Sequence, residues 1–220
     1  TAQTNFFPRS ISFTDSNAFF SLASHANLNV GTDDFSFSFG AKVSSSSNTS
    51  VLQKNGSSGY AVFFQSGVLK LTLNTGGSAT FDLTGAICND NKWHTYVIAV
   101  DRSDTAVAYV DGVAQTPIDV SAKAGNLDND SLFQIGKVGS TSGTGISLGN
   151  YLSFHKTELG SIPAANIYYS PDTALNAGAT QLMVDLRRAD KTFTDISTNG
   201  FAVTTNGTII FNEGRITSLD

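Results

Sequence analysis

The sequence predicts an all-β fold, a sandwich of two antiparallel sheets, on three observations. Apolar and polar residues alternate with a period of two in several short segments, which is the pattern of strands that bury one face. Turns rich in Gly, Asn, Asp and Ser separate these segments at short intervals, as in sandwiches and barrels. The 220 residues include 16 Phe and are 40% hydrophobic, which supplies the apolar surface that a two-layer core requires.

The strands of the first half are the most clearly marked. In residues 35–43 every second residue is apolar, and the residues between them are Ser, Gly or Lys. Turns at residues 54–57 and 66–67 then separate two further segments, residues 59–65 and 69–73, and the second of these alternates in the same way. The three segments together predict a β-meander.

The second half continues the pattern of short strands. Residues 92–100 combine aromatic and β-branched side chains, which favour strands. Asp111 and Gly112 form the strongest two-residue hairpin signal of the chain. A short helix is expected over residues 162–169, with Pro163 at its start. The remaining segments that we expect to be extended are residues 80–83, 105–110, 113–118, 131–137, 151–155, 179–186, 193–196 and 207–211.

The length and the charge of the chain limit what it can be. All-β sandwiches reach 220 residues as one unit, so we expect a single domain over residues 1–220. The formal net charge is −5 and the 13 Lys and Arg are scattered, which argues against nucleic acid as a partner. No apolar run approaches the roughly 20 residues of a membrane-spanning helix, so no membrane insertion is expected. The lone Cys88 has apolar neighbours and is expected to be buried.

The residues that enzymes of this shape use are missing from the sequence. Glycosidases need two carboxyl groups about 5 to 9.5 Å apart. The chain has only two Glu, Glu158 and Glu213, and no strand pattern carries a Glu pair. The three His, at positions 25, 94 and 155, lack metal-binding spacing, and no Gly-x-Ser-x-Gly elbow occurs. The sequence therefore predicts a protein that is not an enzyme.

Two neighbouring motifs carry a resemblance to a known family. Residues 92–101 read Lys-Trp-His-Thr-Tyr-Val-Ile-Ala-Val-Asp, and residues 108–113 read Ala-Tyr-Val-Asp-Gly-Val. This Trp-His strand followed by a Tyr-x-Asp-Gly hairpin resembles the central signature of concanavalin A-like, laminin G-like jelly-roll domains. Residues 12–20, 34–38, 132–136 and 193–200 are similar to further strands and turns of that family. The resemblance spans nearly the whole chain and implies a jelly-roll β-sandwich.

The resemblance also implies Ca²⁺ as a cofactor. Members of the family often hold one Ca²⁺ at the rim of the sandwich, with one acidic side chain in the opening loop and another after the Gly-rich loop. Asp15 is the expected first ligand. At the second position residues 148–151 read Leu-Gly-Asn-Tyr, without a carboxylate, whereas Ca²⁺ takes six to eight oxygen ligands. Asp128 and Asp130 form a separate oxygen-rich loop, which is either a cation site or a solvated turn.

A ligand-binding rim is expected near that loop. Sugar-binding sandwiches stack an exposed aromatic ring on a sugar and surround it with Asn, Asp or Arg side chains. Most aromatic residues here, Trp93 among them, fall in strand patterns and are expected in the core. Tyr151 follows Asn150 at the end of the Gly-rich stretch, and we expect this pair to lie beside Asp128 and Asp130. These last four residues form the predicted rim.

Two functions are consistent with these features. The first is a non-catalytic, lectin-like module that binds extracellular or cell-surface glycans and is itself extracellular or at the cell surface. The second is a structural domain of a virion, such as a capsid decoration or tail-associated domain, or of an adhesin, which acts through contacts with proteins. The binding module is expected to be a monomer, whereas the virion protein is expected to form a homo-oligomer.

Overall fold

The computed structural model describes residues 9–44, 48–156, 180–186 and 193–213. The helix expected over residues 162–169 lies outside these ranges. Within them the chain forms β-strands and two 3₁₀ turns. The strands are β1 Arg9–Phe13, β2 Phe19–Leu22, β3 Phe35–Val43, β4 Thr49–Asn55, β5 Ser58–Gln65, β6 Val68–Thr75, β7 Ser78–Asp82, β8 Trp93–Val100, β9 Thr105–Val110, β10 Val113–Ala114, β11 Ile118–Asp119, β12 Phe133–Ile135, β13 Lys137–Val138, β14 Thr141–Ser142, β15 Ile146–Lys156, β16 Thr180–Asp185, β17 Thr194–Asp195, β18 Thr204–Asn206 and β19 Ile209–Glu213.

The strands form two large antiparallel sheets that share one core. Sheet A has the order β10-β9-β8-β3-β15-β1-β19, with β11 beside β9, β16 beside β15 and β17 beside β16. Sheet B has the order β18-β2-β12-β4-β5-β6-β7, and β13 pairs only with β14. Neighbours that are distant in sequence, such as β3 and β15, show that the chain crosses repeatedly between the sheets. This topology confirms the predicted jelly-roll sandwich.

The core lies between the two sheets and is rich in aromatic rings. Phe37 of β3 stacks on Phe154 of β15, with ring centroids 5.2 Å apart. From the opposite sheet, the ring of Tyr60 lies 5.5 Å from Phe37 and 5.9 Å from Phe154. All three side chains are fully buried. Because aromatic pairs at these distances stabilise beyond the area they bury, this cluster is a principal contact between the sheets.

The clearest strand predictions are confirmed. The alternating residues 35–43 form β3, whose Phe side chains all enter the core. Asp111 and Gly112 have φ values of 50° and 85°, the left-handed values that a two-residue turn of type I′ requires, and they join β9 to β10. Cys88 is buried as expected. Strand β4 was not predicted, because polar residues such as Gln53 hide its pattern.

Trp93 is not in the core, and the expectation for it was wrong. Alternate residues of a strand point to opposite faces, and in β8 the core side belongs to Tyr96, Ile98 and Val100. Trp93 therefore faces outward, half-buried, with the Lys42 Nζ 5.9 Å from its ring centroid.

The outward face of sheet A is small and polar where β3 meets β15. Ser38 lies opposite Ser153 and Ser36 opposite His155, and all four residues are buried. The Nε2 atom of His155 lies 2.9 Å from the hydroxyl of Ser153. Burial lowers the pKa of His155 to about 4, because desolvation disfavours the charged imidazolium. His155 is therefore held as a neutral side chain in the folded protein at neutral pH.

Replacing Phe37 tests the aromatic cluster. Phe37→Ala removes the ring that contacts both Phe154 and Tyr60, and we expect it to lower the free energy of unfolding by about 3–5 kcal/mol. Phe81→Ala is the matched control, because Phe81 is only partly buried, on the edge strand β7. Urea denaturation measures both. Equal losses for the two variants would contradict the central role of the cluster.

The buried imidazole predicts a loss of stability in acid. The pKa of His155 is about 4 when folded, against the ordinary value of 6.5. The unfolded chain therefore takes up the proton first as the pH falls. The contribution of His155 to stability is constant above about pH 6.5 and is lost as the pH falls toward 4, in total about 3 kcal/mol at about 1.4 kcal/mol per pKa unit.

The variant His155→Gln lacks the titrating group. We expect the free energy of unfolding, measured by urea denaturation between pH 7 and pH 4, to fall less steeply for this variant than for the unmodified protein. Parallel pH profiles would show that His155 is not the group responsible. The slope is the readout, because the variant also loses some stability at every pH.

Candidate ligand-binding site

The strand directions define two opposite ends of the sandwich. The loop of residues 23–34 precedes β3, and Asp128 is hydrogen-bonded to it. We call this end, formed by residues 23–34 and 124–132, the Asp128 end. Strands β1 and β3 both pair antiparallel with β15, so they run in the same direction. Asp15, which follows β1, therefore lies at the opposite end, which we call the Asp15 end.

The loop of Asp128 and Asp130 is tied to its neighbours by hydrogen bonds. The carboxylate of Asp128 accepts the backbone N–H of Gly31 at 2.6 Å. The side-chain amide of Asn129 donates to the carbonyls of Lys54 and Ser58, at 3.2 and 3.0 Å. Lys54 and Ser58 lie at the ends of β4 and β5, so these bonds attach the loop to the turn that joins the two strands.

A buried lysine lies beneath this loop. The ammonium group of Lys54 donates to the hydroxyl of Ser24 at 3.2 Å and to the backbone carbonyl of Asn129. Burial lowers the pKa of Lys54, and the negative charges of Asp130 and Asp128 oppose this effect. A charge away from water needs such partners, so the loop and the lysine each hold the other in place.

A buried arginine, Arg102, holds the adjacent loops in place. The side chain of Arg102 is only 1% exposed, and its guanidinium donates to the carbonyls of Gly125, at 2.6 Å, of Gly31, at 3.4 Å, and of Lys123. Its backbone N–H donates to the carboxylate of Asp34 at 2.8 Å. Burial lowers the pKa of Arg102, while Asp34 opposes the shift. One side chain thus joins three segments of the chain through a planar fork of donors.

The exposed surface at this end is acidic. Asp33, Asp128 and Asp130 are exposed, whereas the cationic groups of Lys54 and Arg102 are buried beneath them. Carboxylates accept hydrogen bonds and repel other anions. These carboxylates are therefore suited to ligands that donate hydrogen bonds, such as sugar hydroxyls. One cation also lies at this end, because the ammonium of Lys156 donates to the carbonyl of Ala26 at 3.2 Å.

The other half of the predicted rim lies elsewhere. Asn150 and Tyr151 belong to β15, where the register with β3 shifts between Gly149 and Leu152, so the pair forms a bulge inside a strand. Tyr151 is 5% exposed and its register partner is in β16. The side chain of Asn150 is outside the described atoms. The expected proximity to Asp128 is corrected: the chain is already extended from Ile146, so no loop ends at this pair.

Asp15 has local partners at its own end of the sandwich. Its carboxylate accepts the backbone N–H of Asn17 at 2.7 Å and the hydroxyl of Thr14 at 3.2 Å, which shapes the turn between β1 and β2. Within the ranges that the structure describes, no group of three or more His, Cys, Asp or Glu side chains is arranged to hold a metal ion. The Ca²⁺ cofactor therefore stays a prediction.

A histidine between two carboxylates also lies at the Asp15 end, and sequence reasoning missed it. The Nδ1 atom of His94 is 2.6 Å from Asp111, and its Nε2 atom is 3.1 Å from Asp90. Burial alone would lower the pKa of His94, but the hydrogen bonds and charges of Asp111 and Asp90 outweigh it and raise the pKa. Asp111 also accepts the backbone N–H of Thr95 at 2.8 Å. The Trp-His and Asp-Gly motifs were visible in the sequence, and their contact joins β8 to the hairpin turn.

The centre of sheet A carries no acid–base pair. Strands β3, β8 and β15 contain neither Asp nor Glu. Two carboxyl groups on one sheet face are what a glycosidase of this shape requires. Among the described residues, then, these three strands lack the groups for glycoside hydrolysis.

Comparison with protein families identifies the chain. The laminin G family model described as the concanavalin A-like lectin/glucanases superfamily matches residues 14–146. The chain therefore belongs to this superfamily. No curated protein matches the sequence.

Three solved structures illustrate the fold. A candidate carbohydrate-binding protein from Bacteroides ovatus matches with a TM-score of 0.71 and 14% identity, over 94% of this chain and 60% of its own. The botulinum neurotoxin serotype G binding domain matches with a TM-score of 0.57 and 15% identity, over 71% of this chain and 41% of its own. Mouse laminin α1 domains LG4-5 match with a TM-score of 0.53 and 18% identity, over 72% of this chain and 44% of their own.

The chain thus spans three fifths or less of the length of each of these structures. At such identities the likeness concerns the fold alone. The part of the chain that the structure describes contains no helix with the length and apolar character required to cross a membrane.

Replacing Arg102 tests the scaffold of the Asp128 end. Arg102→Lys keeps the charge but loses the fork of donors to three carbonyls, so we expect a loss in the free energy of unfolding of about 2–3 kcal/mol. Arg9→Lys, the same change at an exposed position on β1, is expected to stay within about 0.5 kcal/mol of the unmodified protein. Urea denaturation distinguishes the two. Similar values for both variants would mean that the guanidinium contributes little.

Proposed function

We propose that this domain is a non-catalytic, lectin-like module that recognises glycans through the Asp128 end. The observation that carries the proposal is the pair of exposed carboxylates, Asp128 and Asp130, on a loop that the buried Lys54 and Arg102 hold in place. A loop ordered before binding loses little conformational entropy when a ligand arrives. Such carboxylates accept the paired hydrogen bonds that sugar hydroxyls donate.

The superfamily supports this proposal. The description of its family model names both lectins and glucanases. The most extensive of the three structural matches is a candidate carbohydrate-binding protein. Between these two activities, binding fits this chain better, because strands β3, β8 and β15 contain no carboxylate. We therefore place the chain among the non-enzymatic members.

The charge of the site narrows the class of glycan. Asp33, Asp128 and Asp130 are exposed on the same end, and the whole chain has a formal net charge of −5. A sulfated or sialylated sugar would bring further negative charge to this surface, and repulsion between like charges would weaken its binding. Neutral oligosaccharides are the expected ligands, and extracellular or cell-surface glycans are the expected source.

A glycan array tests the proposal most directly. We expect the purified protein to bind neutral oligosaccharides and to leave sulfated and sialylated ones unbound. Asp130→Asn removes one carboxylate without touching the bond between Asp128 and Gly31. We expect it to weaken the strongest interaction by about tenfold, the loss of roughly one charge-assisted hydrogen bond. Isothermal calorimetry with that glycan measures the change.

The control removes the same charge far from the proposed site. Asp82→Asn, at an exposed position of edge strand β7 toward the Asp15 end, is expected to leave the affinity unchanged. Light scattering on the same samples reports the mass. Absence of any glycan binding together with a discrete oligomer would overturn the proposal and favour the alternative, a structural domain of a virion or adhesin. Glycan binding that requires Ca²⁺ and is not weakened by Asp130→Asn would indicate a site at the Asp15 end instead.

A further inference from the structure

An aromatic pair lies beside the proposed glycan site. The imidazole of His25 and the ring of Phe201 have centroids 4.9 Å apart and are tilted by 58°. His25 is exposed and Phe201 partly buried. Next to them the side-chain amide of Asn27 donates to the amide oxygen of Asn199 at 2.7 Å. Residues from two segments 172 positions apart thus meet at the Asp128 end.

Local hydrogen bonds determine which atoms of His25 and Asn27 are left to bind a ligand. The Nδ1 atom of His25 accepts the backbone N–H of Asn27 at 3.1 Å. In the neutral imidazole the proton is therefore on Nε2, which is a donor. The amide nitrogen of Asn27 is used toward Asn199, whereas its amide oxygen takes no part in that bond and is an acceptor. A donor, an acceptor and an apolar ring stand side by side, which is the combination that a sugar face and its hydroxyls match.

Phe201 is held in position by a hydrogen-bonded turn. The carboxylate of Asp195, which is 7% exposed, accepts the backbone N–H groups of Ser197 and Phe201, both at 2.9 Å. It also accepts the hydroxyl of Ser197 at 2.8 Å. Because the same carboxylate closes both ends of the turn, the backbone at Phe201 is fixed before a ligand arrives.

The aromatic pair is continuous with the loop of Asp128 and Asp130. Ser24 directly precedes His25, and its hydroxyl accepts from Lys54 at 3.2 Å and donates to the carbonyl of Asn129 at 3.4 Å. The buried ammonium therefore ties both parts of the end together.

We propose that His25, Asn27 and Phe201 form the stacking surface of the glycan site, for a neutral sugar ring whose further hydroxyls bind Asp128 and Asp130. This assignment rests on the proposed function and supplies the aromatic contact that Tyr151, buried in β15, does not offer. Phe201 packs against the core, so the part of its ring that stays exposed contacts the sugar. The Nε2–H of His25 and the amide oxygen of Asn27 select the orientation of the hydroxyls.

Substitutions at Phe201 test the assignment. Phe201→Leu keeps an apolar side chain of similar bulk but removes the ring, so we expect about tenfold weaker binding of the neutral glycan that the array ranks first. Phe201→Tyr keeps the ring and is expected to bind within twofold of the unmodified protein. Phe81→Leu is the matched control on edge strand β7. Calorimetry gives the affinities, and thermal unfolding shows that each variant is folded.

The outcomes separate this inference from the proposed function. Weaker binding with Phe201→Leu, and not with Phe201→Tyr or Phe81→Leu, supports the stacking surface. If Phe201→Leu binds normally while Asp130→Asn does not, the stacking surface is wrong and the proposed function stands. If the unmodified protein binds no sugar on the array, both are wrong.

Discussion

Tyr60 joins the core of the sandwich to the loops that carry the candidate site. Its ring packs among Phe35, Phe37 and Phe154, with centroid distances of 5.5, 5.5 and 5.9 Å, so it belongs to the contact between the two sheets. Its hydroxyl donates to the carbonyl of Leu28 at 2.9 Å, inside the loop that leads to β3. Burial raises the pKa of Tyr60 well above its ordinary value, with a further contribution from Asp128, so the hydroxyl stays a donor. The position of that loop thus depends on the packing of the core.

The buried cations Lys54 and Arg102 connect the core to the surface loops. Lys54 sits at the end of a strand and Arg102 at the first turn after another, and both place their charge under loops that have no strand partner. A buried charge is tolerated only where acceptors surround it, and here those acceptors are backbone carbonyls of the loops. Removing either cation takes a donor away from these carbonyls, so the two side chains and the loops form one cooperative unit. The exposed carboxylates of Asp128 and Asp130 are consequently held in fixed positions.

Local patterns accounted for most of the fold. The alternation in β3 and the Asp111-Gly112 turn were readable because each depends on neighbouring residues, which specify a strand face or a turn type. Trp93 was assigned to the core because it falls in a strand pattern, although the alternation in β8 places it outside. The bulge at Asn150 and Tyr151 was not readable, since it arises from the register between β15 and β3.

The candidate site was only half predictable for the same reason. Asp128 and Asp130 stood out as a polar loop, whereas the sequence analysis singled out neither Lys54 nor Arg102. Their partners lie 75 and 71 residues away along the chain, at Asn129 and Gly31. One signal was available: Lys54 directly precedes an Asn-Gly turn at the end of a strand, a place where a long cationic side chain reaches a neighbouring loop. No local pattern links residues 25 and 201.

The most direct test of the account is the map of backbone amide chemical-shift changes when the neutral oligosaccharide that binds best is titrated into the isotopically labelled protein. The account predicts that the changes cluster at the Asp128 end, in residues 23–34 and 124–132, and in the adjacent residues 199–202, and leave the Asp15 end undisturbed. Changes centred on residues 14–18 and 90–95, or on the outward face of sheet A, would contradict it.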